Sequence, residues 1–180
     1  MAAEPLKVAL VTGAARRIGR VIALDLAAAG WRVAVHHRSS ASEAAEVVAA
    51  IQSKGGTAEA FAADLADPTA VEGLIPAVEE ALGPVSLLIN NASLFLYDDV
   101  ASLEQSRWQR HHSVNLEAAV FLAKSLADRL PAGMNGHVIN IIDQRVLKPT
   151  PVFFSLMASP KLASTPRPQC WRRRSPRASG

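Results

Sequence analysis

The apolar positions alternate between two spacings along the chain. Short apolar runs at 7–13 (KVALVTG), 31–37 (WRVAVHH), 57–64 (TAEAFAAD), 85–93 (VSLLINNAS) and 136–143 (GHVINIID) predict five strands. Runs this short and this apolar suit parallel strands buried on both faces. Between them the period lengthens. Ile18, Ile22 and Leu26 recur every fourth residue and Gly30 stops them, which predicts an amphipathic helix. The stretch 39–56 (SSASEAAEVVAAIQSKGG) predicts a second helix with serine caps and a glycine end. Asp67-Pro68 predicts an N-cap with proline at the first helical position, followed by Val71, Leu74, Ile75, Val78 and Leu82 on one face. Pro76 inside that helix predicts a kink or a break. A longer helix is predicted over roughly 104–130, with His111 and His112 on its surface.

Strand–helix alternation with short connections predicts an α/β chain: a doubly wound parallel sheet, in the order 3-2-1-4-5, with helices on both faces. Ligands of such sheets bind beyond the carboxyl ends of the strands. The length of 180 residues suits one domain, and 49% hydrophobic residues with a mean hydropathy of +0.15 exclude disorder over most of it. No apolar run has the roughly 18 residues of a spanning helix. The N-terminal MAAEPLKVALVTG does not read as a signal peptide. Cys170 is the one cysteine. These features together lead us to expect a cytoplasmic protein without membrane contact.

Charge is divided unevenly. Residues 159–180 carry six basic residues and no acid within a chain of net charge +3, which leaves the remainder at −3. The same stretch holds four of the 11 prolines and no apolar period, so a composition boundary falls at about residue 156.

The strand ends carry the candidate chemistry. TGAARRIGR (12–20) joins strand one to helix one. Thr12-Gly13 permits a tight turn, Gly19 permits close packing of helix on strand, and the helix N-terminus with Arg16 and Arg17 suits a phosphate. Strand two ends in HHRSS (36–40) with no acid, where a carboxylate would hold a ribose 2′-OH. An arginine there suits a 2′-phosphate, so Arg38, helped by His37 and Ser39, indicates NADP(H); Ser39 or Ser40 equally suits a helix cap. Tyr97, the one tyrosine, lies in the loop after strand four.

With Thr12-Gly13 through Gly19, Asp64-Leu65, NNAS at 90–93 and Asn115 in HSVNLEAA in order along 7–155, the sequence resembles the short-chain dehydrogenases/reductases. Arg17 in place of a middle glycine, HHRS after strand two, NNAS, and Asp143 ending VINIID resemble the pteridine reductase and dihydromonapterin reductase-like branch. The resemblance implies a Rossmann-type fold, NADP(H) as cofactor, and hydride transfer to a small pterin-like or carbonyl substrate. It implies cofactor contacts from Gly13, Arg17, Ile18, Gly19, His37, Arg38, Ser39, Asp64, Leu65, Asn91, Ala92 and Ser93. It implies a substrate stack on Phe95 with a reach from Arg17. It implies that Asn115 orders a water by a catalytic lysine and that Asp143 takes part in proton delivery. Phe95 equally suits a core position; as the lesser reading, Asn115 suits a buried helix kink and Asp143 a cap. No metal site is assigned.

The same resemblance places a proton-donating tyrosine, and a lysine four residues on, after FFS at 153–155. Here Leu156 and Pro160 stand in those places and Lys161 is one residue late. Leucine has no proton to donate, and proline disturbs the helix that would carry both groups. The expectation is therefore an incomplete NADP(H)-binding domain over 1–155, without the family's outer strands six and seven. An irregular basic tail would follow over 156–180, of the kind a shifted reading frame produces. The expected chain is nearly inactive as a reductase. The resemblance implies a homo-oligomer for an intact member, and the expectation is that assembly suffers in this chain. The alternative reading is a non-catalytic nucleotide-binding protein whose basic tail contacts nucleic acid or another acidic partner; of the two, a nucleic-acid partner is not the expected one.

Overall fold

A computed structural model of the chain describes residues 7–96, 104–142 and the backbone of Trp171 and Arg172. Five strands, β1 (Val8–Val11), β2 (Arg32–His37), β3 (Ala58–Ala62), β4 (Val85–Asn90) and β5 (Asn135–Asn140), stand in the order β3-β2-β1-β4-β5. All four pairings among them are parallel, for example Leu10 opposite Ala34 and Leu10 opposite Leu88. A sixth element, β6 (Trp171–Arg172), adds antiparallel to the open edge of β5 at Asn135 and Gly136. An unpaired edge offers free N–H and C=O groups to any extended segment. Within the tail expected to be irregular, these two residues therefore pair in extended form.

The helices are α1 (Arg17–Ala28), α2 (Ala41–Gln52), α3 (Pro68–Leu82), α4 (Gln105–His112) and α5 (Ala118–Arg129), with a π-helical turn, Ser113–Glu117, between the last two. Successive residues of β1 point to opposite faces, and each face is buried. Val8 and Leu10 join Leu74, Ile75 and Val78 of α3 and Leu122 and Leu126 of α5 on one side. Ala9 and Val11 join Ala23 of α1 and Ala44, Val47 and Ile51 of α2 on the other. Two layers of helix thus seal the strands and leave their carboxyl ends as the accessible rim.

Local signals mostly act where the sequence puts them. Asp67 caps α3, its carboxylate accepting the Thr69 N–H at 2.9 Å, with Pro68 at the first helical position. Gly30 takes a φ of +83° just past α1, a conformation L side chains disfavour. Four expectations are corrected. α3 is not broken at Pro76; the freed carbonyl belongs to Glu72, which is exposed, and Leu74, Ile75 and Val78 anchor the helix around it. Ser40 occupies the N-cap of α2 but its side chain makes no capping bond. Ile22 and Leu26 of the α1 stripe pack against the core beside the buried Gly19 and Ala23, but Ile18 does not, being 60% exposed at the sheet's rim. Gly19 lets the first turn of the helix lie close to the β1–α1 turn, which leaves Ile18 facing out. Finally, His111 is fully buried rather than on a helix surface.

Candidate functional site

The β1–α1 turn is the centre of the rim. Thr12 is buried, and its hydroxyl donates to the Ile89 carbonyl (3.3 Å) while accepting the N–H groups of Asn91 (2.9 Å) and Ala92 (3.0 Å). One hydroxyl therefore joins the ends of β1 and β4. The Asn91 amide crosses back, donating to the carbonyls of Thr12 (2.8 Å) and Gly13 (3.2 Å). Asn91, placed by resemblance beside the cofactor, spends its amide N–H groups on bracing the turn. Gly13 has a φ of +65°. A Cβ on Gly19 would stand 2.4 Å from the Gly13 carbonyl oxygen and 2.5 Å from Asn91 Nδ2. Only glycine fits that contact, which keeps the start of α1 bare of side chains toward the turn.

Arg17 opens α1 with a φ of +51°, the one left-handed non-glycine among the described residues. Such a conformation costs a residue with a Cβ about 1 kcal/mol or more. It stands at the helix N-terminus, where the first N–H groups have no intrahelical acceptor. Arg16 extends outward and pairs with Glu43 of α2. The Arg16 hydrogen bond holds the Glu43 carboxyl below its usual range. Arg17, Ile18 and Arg20 are exposed around the same pole.

At the end of β2, His37 is buried, and its Nδ1 has no hydrogen-bond partner among the described residues. Arg38 and Ser39 follow it and are exposed. At the end of β3, Asp64 Oδ1 accepts the Ala66 N–H (3.0 Å) and its other oxygen faces Arg110 of α4 at 3.4 Å. Leu65 turns into the core.

The loop after β4 is clamped from the long helix. Asn115 lies in the π-helical turn, 5% exposed. Its Oδ1 accepts the Leu94 N–H (2.8 Å) and its Nδ2 donates to the Leu94 carbonyl (3.0 Å). One turn earlier, His111 Nε2 accepts the Leu96 N–H (3.2 Å). Between the two clamped residues Phe95 is 51% exposed, so it is not a core residue. π-helical turns recur at functional sites. A crevice lined by Thr12, Ala92, Asn115, Asn140 and Ile142 runs along the rim beneath this loop.

The fold thus brings together Gly13, Gly19, Asn91 and Ala92, and sets Ser93, Phe95 and Asn115 beside them. His37, Arg38, Ser39 and Asp64 line the rim on the β2–β3 side, with the Leu65 side chain turned into the core. Asp143, Tyr97, Leu156, Pro160 and Lys161 lie outside the described residues. Two residues were missed. His111 shares the buried stripe of Asn115, Ala118, Leu122 and Leu126, a 4-3-4-4 spacing that marks it as interior. His36 lies inside an apolar β2 run, 2% exposed, and bonds the neighbouring turn. Burial lowers its pKa to about 4, so it is neutral near pH 7.

Comparison with known proteins agrees with this arrangement. The family model described as short chain dehydrogenase matches residues 7–163. The match runs past the composition boundary at about residue 156. A short-chain type dehydrogenase/reductase of Picea abies is 35% identical over 161 residues, which is 85% of this chain and 59% of the relative. A 3-oxoacyl-[acyl-carrier-protein] reductase of Synechocystis is 34% identical, over 78% of this chain and 57% of the relative. Among solved structures, FolM alternative dihydrofolate reductase 1 from Brucella suis in complex with NADP superposes with a TM-score of 0.83 at 43% identity. That match covers 87% of this chain and 65% of that one. The chain thus spans about three-fifths of the length of the curated relatives it matches. With a matching family model over most of its length and relatives of this similarity, the chain belongs to the short-chain dehydrogenase/reductase family.

Proposed function

We propose that this chain supplies the NADP(H)-binding part of a short-chain oxidoreductase that reduces a small pterin-like or carbonyl substrate. The observation that carries this reading is the rim at the end of β2. A buried His37 whose Nδ1 has no partner among the described residues, an exposed Arg38 and an exposed Ser39 stand there, with no carboxylate in the HHRSS segment. A 2′-phosphate satisfies that donor set, whereas a bare 2′-OH leaves it without a charge partner. The bare N-terminus of α1 suits the pyrophosphate for the same reason. Superposition on NADP complexes at 43% and 36% identity supports the reading.

NADPH supplies a hydride when bound. The chain's own residues do the rest. Thr12, Asn91 and Gly19 hold the turn compact. Arg17, Ile18 and Arg38 present charge and surface toward the phosphates. Asp64 and the backbone at Leu65 face the adenine end, Ala92 lines the crevice, and Ser93 follows it in the loop. Asn115 fixes the Leu94 backbone, and Phe95 with Arg17 offers a stacking face and a cation to the substrate. The FolM neighbours favour a pterin-like substrate over other carbonyl compounds. Asp143 is proposed to take part in proton delivery. Leu156 supplies no proton where the family resemblance places a tyrosine, so turnover by this chain is proposed to be slow. The tail-based alternative draws on residues 159–180, and no observation favours it.

The test is a fluorescence titration of the purified chain with NADPH and with NADH. The expected result is tighter binding of NADPH, with Arg38→Asp erasing or reversing the preference. Equal affinity for both cofactors, or binding of neither, overturns the reading.

A further inference from the structure

The His36 side chain bonds to both halves of the rim. Its Nδ1 accepts the Gly13 N–H at 3.0 Å, in the β1–α1 turn. Its Nε2 lies 3.1 Å from the Ala63 carbonyl, just beyond β3 and next to Asp64. A backbone N–H only donates and a carbonyl only accepts, so the ring is the neutral tautomer with its proton on Nε2. The backbone repeats the linkage: Ala14 N–H donates to the His36 carbonyl (2.9 Å) and Ala63 N–H to the His37 carbonyl (3.0 Å). The ring is 2% exposed, so no water substitutes for either side-chain bond.

We propose that His36 is a positioning residue for the dinucleotide, setting the separation between the pyrophosphate turn at Gly13 and the adenine end at Asp64. The proposal rests on the NADP(H) reading. A dinucleotide occupies both ends at once and needs them in register. A ligand occupying only the adenine end does not. Among the described residues, no other side chain hydrogen-bonds both the turn and the β3 end. Loss of the ring leaves the part-buried Gly13 N–H without its side-chain acceptor and removes this side-chain tie between the turn and the β3 end.

The test uses the purified chain and three variants. His36→Leu removes both bonds. His36→Asn places an acceptor where Nδ1 stood and retains the bond to Gly13. His36→Gln places a donor where Nε2 stood and retains the bond to Ala63. Affinities are measured for NADPH and for adenosine 2′,5′-bisphosphate, which fills only the adenine and 2′-phosphate end, alongside the folding midpoint. His36→Leu is expected to weaken NADPH about tenfold or more, and the fragment by less than about threefold. His36→Asn is expected to bind NADPH more tightly than His36→Gln. If His36→Leu does not fold, the Asn and Gln pair decides. Equal loss of both ligands in proportion to loss of folded protein, or His36→Gln binding as tightly as His36→Asn, overturns the proposal. Wild-type chain that binds neither ligand overturns instead the NADP(H) reading on which it stands.

Discussion

Gly19→Ala isolates the tightest contact at the rim. On helix propensity alone this substitution stabilises α1 by up to about 1 kcal/mol. The added methyl, however, lands 2.4 Å from the Gly13 carbonyl oxygen, 2.5 Å from Asn91 Nδ2 and 3.0 Å from Ala14 Cα. Two of these are backbone atoms and the third is an amide engaged in two hydrogen bonds, so none is a free side-chain end that swings aside. Helix and turn must separate, which costs about 1–3 kcal/mol for overpacking. Displacing Asn91 adds roughly 1 kcal/mol for each hydrogen bond it loses. The net expectation is destabilisation by about 2 kcal/mol, a fall in melting temperature of roughly 4–8 °C for a chain this size. Gly73→Ala is the matched control. It lies inside α3 with nothing within 4 Å of its added methyl, so it gains about 0.5–1 kcal/mol. Urea or thermal unfolding of both variants reads the two signs. A Gly19→Ala chain as stable as wild type refutes the argument that Gly19 is held by contact with the turn.

Acid should loosen the fold through His36. Its folded pKa of about 4 is lowered chiefly by burial, with His37 opposing its charge and the Ala63 bond and Asp64 favouring it. Its stabilising contribution is therefore complete above about pH 6.5 and is lost as pH falls toward 4, at roughly 1.4 kcal/mol per unit. Unfolding midpoints at pH 7 and pH 5 should differ more in wild type than in His36→Asn, and equal slopes contradict this. Asp67→Ala should cost about 1 kcal/mol by uncapping α3, read as a shift in denaturation midpoint with unchanged NADPH affinity. NADPH oxidation followed with a dihydropterin should run about 10²–10⁴ slower than in a relative with a tyrosine at the position of Leu156. Full turnover by this chain removes the inference that its proton donor is lost.

How much of this was legible beforehand differs by element. The central strands were readable because they are buried on both faces, which writes them as unbroken apolar runs: every residue of β1 is fully buried. Asp67-Pro68 and Gly30 were readable because a cap or a helix stop involves groups only a few residues apart. The cofactor motifs, from Gly13 to Gly19, lie on one turn and declare themselves by spacing. The bonds that hold the rim together were not readable. Asn91 reaches partners 78 and 79 residues away, and His36 reaches Gly13 and Ala63 across 23 and 27. Those pairings exist only because β1 lies between β2 and β4, and β2 between β1 and β3. The same holds for Ile18, whose four-residue repeat suggested the core. The close approach of Gly19 to Gly13 turned Ile18 out to the rim instead. Periodicity records which residues avoid water, but the partner of a buried polar group is chosen by the order of the strands, and that order forms only when distant segments pack.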